Sequence, residues 1–184
     1  MLWLIRHGET EWSLSGAHTG RTDLPLTVAG EEKAAKIREK LQGRSFALVL
    51  TSPMQRARRT CEIAGYGAAA QIEPNLLEWN YGDYEGLTTQ QIRRGRPGWA
   101  LFRDGVPNGE SIAQVADRAR AVIDRAVNAG GDVALFAHGH ILRILASCWM
   151  GLPPEDARLF ALSTASVSTL GHEHEIRVIT RWNL

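Results

Sequence analysis

Apolar and polar positions fall into two alternating patterns along the chain. Leu2-Trp3-Leu4-Ile5 is an unbroken apolar run with a β-branched residue, as in a strand buried on both faces. Phe46 to Leu50 and Val133 to Ala137 repeat that pattern. Between the runs, apolar residues recur at helical spacing. Ala34, Ile37 and Leu41 follow a Thr27 cap and stop at Gly43. Ser52-Pro53 opens a second helix, placing Arg56 about one turn in, and Thr60, Ile63 and Ala64 carry it to Gly65. The clearest helix starts at Ser111, which forms a capping box with Gln114 and leads into Ile112, Val115, Ala116, Ala119, Val122, Ile123, Ala126 and Val127. Gly130-Gly131 ends it, and another helix runs from Ile141 to about Met150.

The remaining segments are less regular. Thr10 to Pro25 reads as a long functional loop pinned by Trp12 and Leu14. Gln71 to Leu77 predicts a short strand, and Thr89 to Arg96 a short helix. Residues 78–109 read as a lid-like insertion at a pocket mouth. Ser166 to Leu170 and Ile176 to Arg181 predict a late hairpin. Strand-then-helix units joined by short turns predict a three-layer α/β/α sandwich. Its central sheet is mostly parallel, with at least one antiparallel strand from the hairpin. Residues 1–184 are read as one domain.

Composition narrows the function. The formal net charge is +1, which suggests neither a nucleic-acid nor a membrane partner. There is no twenty-residue apolar span and no signal-peptide pattern before the first strand, so a cytoplasmic location is expected. Cys61 and Cys148 lack metal or redox spacing and read as reduced, buried thiols. His138-Gly139-His140 and His172-Glu173-His174 place two imidazoles two residues apart. No third ligand appears at a familiar spacing, so no metal or other cofactor is expected.

The chemistry collects where strands stop. The first strand ends in Arg6-His7-Gly8, the second leads to Arg56, and the third ends in His138. In an open α/β sheet these carboxyl ends share the edge where ligands bind. Guanidinium forks match phosphoryl oxygens, and a neutral imidazole is a competent nucleophile near neutral pH. His7 is therefore the candidate nucleophile towards phosphorus. A second, protonated histidine, His138, would stabilise charge on the transferring group. Glu78, at the head of an aromatic and acidic loop, is the candidate proton donor to the leaving oxygen and the later base for water.

Arg6-His7-Gly8-Glu9-Thr10 resembles the signature of the histidine phosphatase superfamily, the phosphoglycerate mutase-like enzymes. The resemblance continues through Trp12, Thr19-Gly20, Asp23, Leu26-Thr27 and Gly30, then Ser52-Pro53 with Arg56-Ala57 and Thr60. Glu78, Gly82 and Glu85-Gly86, then Gly109-Glu110-Ser111 and His138-Gly139, complete it in order. It implies a phosphoglycerate mutase-like fold and transient phosphorylation of His7 without metal. Arg6, Arg56 and His138 would hold the phosphoryl group, and Glu78 would donate the proton. Ser13, Thr19, Gly20, Tyr81 and Gly139 are implied on the substrate side, although Ser13 stands where the family commonly has asparagine.

Glycolytic mutases of that family carry arginine after the acid and a lysine farther on; this chain has Trp79 and Thr89. That difference favours hydrolysis. The stretch from Glu78 to Gly86 resembles the sedoheptulose-bisphosphatase-like and acid-phosphatase-like members. A sugar phosphate or bisphosphate is thus the expected partner. Arg21, Arg93, Arg94, Arg96 and Arg103 are either contacts for a second phosphate or plain solvated surface. A phosphoglycerate mutase-type phosphotransferase and a non-enzymatic phospho-ligand binding module remain alternatives. The resemblance also leaves a homodimer open.

Overall fold

A computed structural model describes residues 1–41 and 43–184. Six strands form one sheet: β1 (Leu2–Arg6), β2 (Leu48–Thr51), β3 (Ala70–Ile72), β4 (Val133–Ala137), β5 (Val167–Glu173) and β6 (Ile176–Arg181). Their spatial order is β3-β2-β4-β1-β5-β6. The β3-β2, β2-β4 and β4-β1 pairs are parallel, whereas β1-β5 and β5-β6 are antiparallel. The mostly parallel, mixed sheet expected from the sequence is the one observed.

The described residues also form α-helices α1 (Glu11–Ser15), α2 (Val28–Leu41), α3 (Gln55–Ile63), α4 (Thr89–Gly95), α5 (Leu101–Asp104), α6 (Ile112–Val127) and α7 (Gly139–Trp149). Side chains alternate across a strand, so each central strand feeds two cores. Leu2 and Leu4 of β1, with Val133 and Leu135 of β4, pack against Val115, Val122, Ile141 and Leu145 of α6 and α7. Trp3 and Ile5, with Ala134 and Phe136, pack against Ile37 and Leu41 of α2 and Cys61 of α3. The sheet is therefore the middle of three layers.

Several local expectations change. The Thr10–Pro25 stretch contains α1, capped by a reciprocal box between Thr10 and Ser13. Trp12 packs beneath Gly86, but Leu14 is 64% exposed and pins nothing. Strand β2 starts two residues late and continues to Thr51, because Phe46 turns aside to pack on Trp3 and Tyr66. Ser52 does not cap α3; Met54 occupies that position without a side-chain bond, and the Asp23 carboxylate accepts from the Gln55 amide at 2.8 Å instead. The strand predicted over Gln71 to Leu77 shrinks to β3, because Pro74 lacks an amide proton and starts a 3₁₀ turn. Helix α7 begins at Gly139, with His138 at its cap. The hairpin closes tightly, its turn carrying His174 in the left-handed region (φ 54°). Within residues 78–109, Trp79, Tyr81, Ile92 and Trp99 are buried in the α6–α7 core.

Candidate active site

Strands β2, β4 and β1 are neighbours, so their carboxyl ends lie side by side. The backbone continues this register past the strands: the His7 amide bonds to Ala137 O at 3.0 Å and the Ser52 amide to Phe136 O at 2.9 Å. Arg6, His7, Ser52 and His138 thus meet at one edge, where helices α3 and α7 begin.

His7 is buried, and its Nδ1 lies 2.6 Å from Gly8 O. A carbonyl can only accept, so Nδ1 carries the proton and Nε2 keeps its lone pair. Burial, then the Arg6 and Arg56 guanidinia, hold this imidazole well below the usual histidine value, so it is neutral near pH 7. The next residue is clamped. The Gly8 amide donates to Thr60 Oγ1 at 3.0 Å, and Thr60 donates to Arg56 O at 2.7 Å. A Cβ at Gly8 would lie 2.5 Å from Gly30 O, so the close approach of α2 requires glycine there.

The His7 and His138 rings meet edge to face, with centroids 5.1 Å apart. Arg56 donates its Nε–H to His138 Nδ1 at 3.1 Å, and His138 Nε2 lies 2.7 Å from Ser52 Oγ. Arginine has no acceptor, so Nδ1 must be unprotonated and Nε2 must be the N–H. Burial, with Arg56, His7 and Arg6, pushes His138 well below the usual value. The residue pattern expects His138 to be protonated among phosphate oxygens; with its own protein neighbours alone, the Arg56 Nε–H occupies the nitrogen a second proton would need.

Arg56 is fully buried. It also donates through Nη1 to Thr22 O at 2.8 Å and through Nη2 to Thr19 O and Gly20 O at 3.2 and 3.0 Å. Arg6 donates to Leu162 O through Nη1, and its buried Nε has no partner among the described residues. A donor aimed at nothing in the protein suits an anion.

Glu78 is held by the start of α7. Its Oε1 accepts from the Trp79 and Ile141 amides, and its Oε2 from the His140 amide, each at 2.9 Å. The loop that carries it is anchored by a bidentate Arg118–Glu110 pair, both legs 2.9 Å, while Arg118 also donates to Leu77 O at 2.7 Å. Trp79 is buried and donates from its indole to Glu110 O at 2.8 Å.

These groups surround a cavity of about 250 Å³ whose wall includes Arg6, His7, Ser13, His18, Thr19, Tyr81, Thr89 and His140. Arg56, Glu78 and His138 are buried next to it and are not part of its lining. Of the implied substrate-side residues, Ser13, Thr19 and Tyr81 reach it. Ser13 also spends its hydroxyl on the Thr10 backbone. Gly20 does not line the wall; its amide and carbonyl serve Glu85 and Arg56. Gly139 packs against the Arg6 guanidinium, where an added Cβ would lie 3.3 Å from Cζ. His18 and His140 were not read as substrate-side residues from the sequence: His18 stands alone in a loop, and His140 carried only the pattern of a metal pair with His138. The Tyr81 phenol, pushed up by burial, lies 2.6 Å from His140 Nδ1. Among the described residues, no three His, Cys, Asp or Glu side chains cluster as a metal site. No helix among them is long and apolar enough to cross a membrane.

A neutral imidazole with an unbonded ring nitrogen at a strand end, set among guanidinia in an α/β fold, is an arrangement suited to phosphoryl transfer. Sequence similarity to known proteins places the chain in a family. The family model for the histidine phosphatase superfamily (branch 1) matches residues 2–184. An acid phosphatase of Mycobacterium tuberculosis is 40% identical over 181 residues, covering 96% of this chain and 88% of the relative. The sedoheptulose 1,7-bisphosphatase of Saccharomyces cerevisiae is 37% identical over 182 residues, covering 81% and 67%. A solved M. tuberculosis open-reading-frame structure superposes with a TM-score of 0.95 at 39% identity, covering 100% of this chain and 96% of that one. The chain belongs to the histidine phosphatase superfamily, and it is a phosphoric monoester hydrolase.

Proposed function

We propose that the chain hydrolyses small phosphomonoesters, sugar phosphates or bisphosphates, through a phosphohistidine on His7 and without metal. The free Nε2 of a neutral His7 beside an unsatisfied Arg6 Nε carries this reading. The names of the relatives, an acid phosphatase and a sugar bisphosphatase, support the substrate class.

In the first step Nε2 attacks phosphorus and the P–O ester bond breaks. Its electron pair goes to the leaving oxygen, which takes a proton from the Glu78 carboxyl. Oε2, with a single amide bond, is the oxygen that can carry that proton. Arg6 and Arg56 hold the phosphoryl oxygens, and positioning of this kind supplies most of the acceleration in phosphoryl transfer. In the second step water attacks the phosphohistidine, Glu78 removes its proton, and the N–P electron pair returns to Nε2 as phosphate leaves.

Hydrolysis is favoured over mutase transfer. Trp79, at the position of the mutase arginine, is buried in the core, and the cavity wall at Thr89 is uncharged. Rapid acid-free quenching with p-nitrophenyl phosphate, followed by mass spectrometry, tests the mechanism. The phosphoryl label is expected on His7, and His7→Ala should abolish turnover. A label on any other residue would refute it.

A further inference from the structure

Glu85 does not line the cavity. Its carboxylate accepts the Gly20 amide at 2.9 Å through Oε1 and 3.0 Å through Oε2, and the Thr22 amide at 3.0 Å through Oε1. The carbonyls of this same short loop hold Arg56: Thr19 O, Gly20 O and Thr22 O accept from its Nη atoms.

The Thr19–Gly20 peptide makes the connection direct. It is one planar trans unit, so its C=O and N–H point in opposite directions. The oxygen faces Arg56 and the hydrogen faces Glu85. Tilting that plane at one side tilts it at the other. No bulkier residue could sit there, since a Cβ at Gly20 would lie 2.5 Å from Trp79 O and 2.7 Å from Glu85 Oε2. Flanking bonds from the His18 amide to Leu87 O (2.9 Å) and the Gly86 amide to His18 O (2.8 Å) fix the Glu85 backbone against the loop. Arg56 in turn sets His138 through its Nε–H.

We infer that Glu85 is a positioning residue that aims the Arg56 guanidinium by gripping the Gly20 amide, on the far side of the peptide whose Thr19 carbonyl holds Arg56, and the Thr22 amide in the same loop. The inference rests on the reading of Arg56 as a holder of the phosphoryl group. With the grip released, the carbonyl triplet drifts and the guanidinium loses its fixed direction. Misplacement of a group that contacts the reacting centre by about an ångström costs up to roughly 100-fold in rate.

A double-mutant cycle tests it, reading kcat/KM with p-nitrophenyl phosphate and checking each variant's fold by thermal unfolding. Glu85→Ala should lower kcat/KM by about 10- to 100-fold. Glu85→Gln should recover most of that, because one oxygen already accepts both amides. In an Arg56→Lys background, Glu85→Ala should cost little more, since the group it aims is already gone. Multiplicative losses in the double variant, or wild-type turnover in Glu85→Ala, would overturn the role of Glu85 alone. Full activity in Arg56→Lys would overturn the role of Arg56, and that of Glu85 with it. If Glu85→Ala does not fold, Glu85→Asp takes its place in the cycle with the same outcomes, because it keeps the charge but withdraws the oxygens by one methylene.

Discussion

Arg56 and His138 lie 82 positions apart in the chain, yet Arg56 Nε–H points at His138 Nδ1 from 3.1 Å. One permanent cation thereby dictates the tautomer of its neighbour. With Nδ1 occupied as an acceptor, the His138 proton resides on Nε2 and faces Ser52 Oγ at 2.7 Å. Nitrogen NMR of the ligand-free protein at neutral pH should show His138 neutral with its proton on Nε2. An imidazolium signal there would contradict the arrangement.

The buried histidines predict a pH dependence. His7 and His138 sit well below the ordinary value, chiefly from burial and the nearby arginines, and so does His140. In the unfolded chain they titrate normally, near pH 6.5. Below that pH the unfolded state binds protons that the folded state refuses, so stability falls as pH falls. The stabilising difference is complete above the unfolded value and is lost as pH drops towards the folded one. Tm should decline steadily on acidification from about pH 7.5 to about pH 5. The acid limb of kcat/KM should lie below the usual imidazole range, because the His7 nucleophile stays unprotonated there. A limb centred at an ordinary histidine value would count against His7 as buried here.

Glu78→Gln should slow turnover by about 10²–10⁴-fold, the range for a positioned general acid. The loss should be largest for alkyl leaving groups and smallest for p-nitrophenol, which departs without a proton. Equal losses across leaving groups would assign Glu78 to structure, where its three amide bonds already place it.

Thr60→Val tests the clamp behind the nucleophile. The shape is kept, but the Gly8 amide loses its side-chain partner. An orphaned buried donor costs about 1–3 kcal/mol. In a protein of this size each kcal/mol lowers Tm by about 2–4 °C. Urea unfolding should show that loss with an unchanged m-value, together with a lower kcat, because Gly8 follows His7 directly.

Activity should survive dialysis against EDTA. The proposed mechanism gives charge neutralisation to arginine and nucleophilicity to His7, so chelation removes nothing it uses. Inhibition reversed by added Zn²⁺ or Mg²⁺ would return attention to His138 and His140.

Some of this was legible in the chain alone. The apolar runs of β1 and β4 and the period of α6 specify their elements by local burial pattern. Arg6, His7, Arg56 and His138 were readable because each follows a strand, and a parallel sheet gathers strand ends. Glu78 was readable from its place in an acidic, glycine-punctuated loop. Contacts set by distant backbone were not. The helix within residues 10–25 depends on a box between Thr10 and Ser13, and the α3 cap is supplied by Asp23, 32 positions before Gln55. His18 and His140 gain their place on the cavity wall only from packing against Tyr81 and Trp99. The tautomer of His138 was not legible for the same reason. Residue type says that an imidazole can be protonated, but only the tertiary structure places the Arg56 donor on its acceptor nitrogen. Periodic burial is a property of neighbours in sequence. Tautomers, caps and carbonyl cradles belong to neighbours in space.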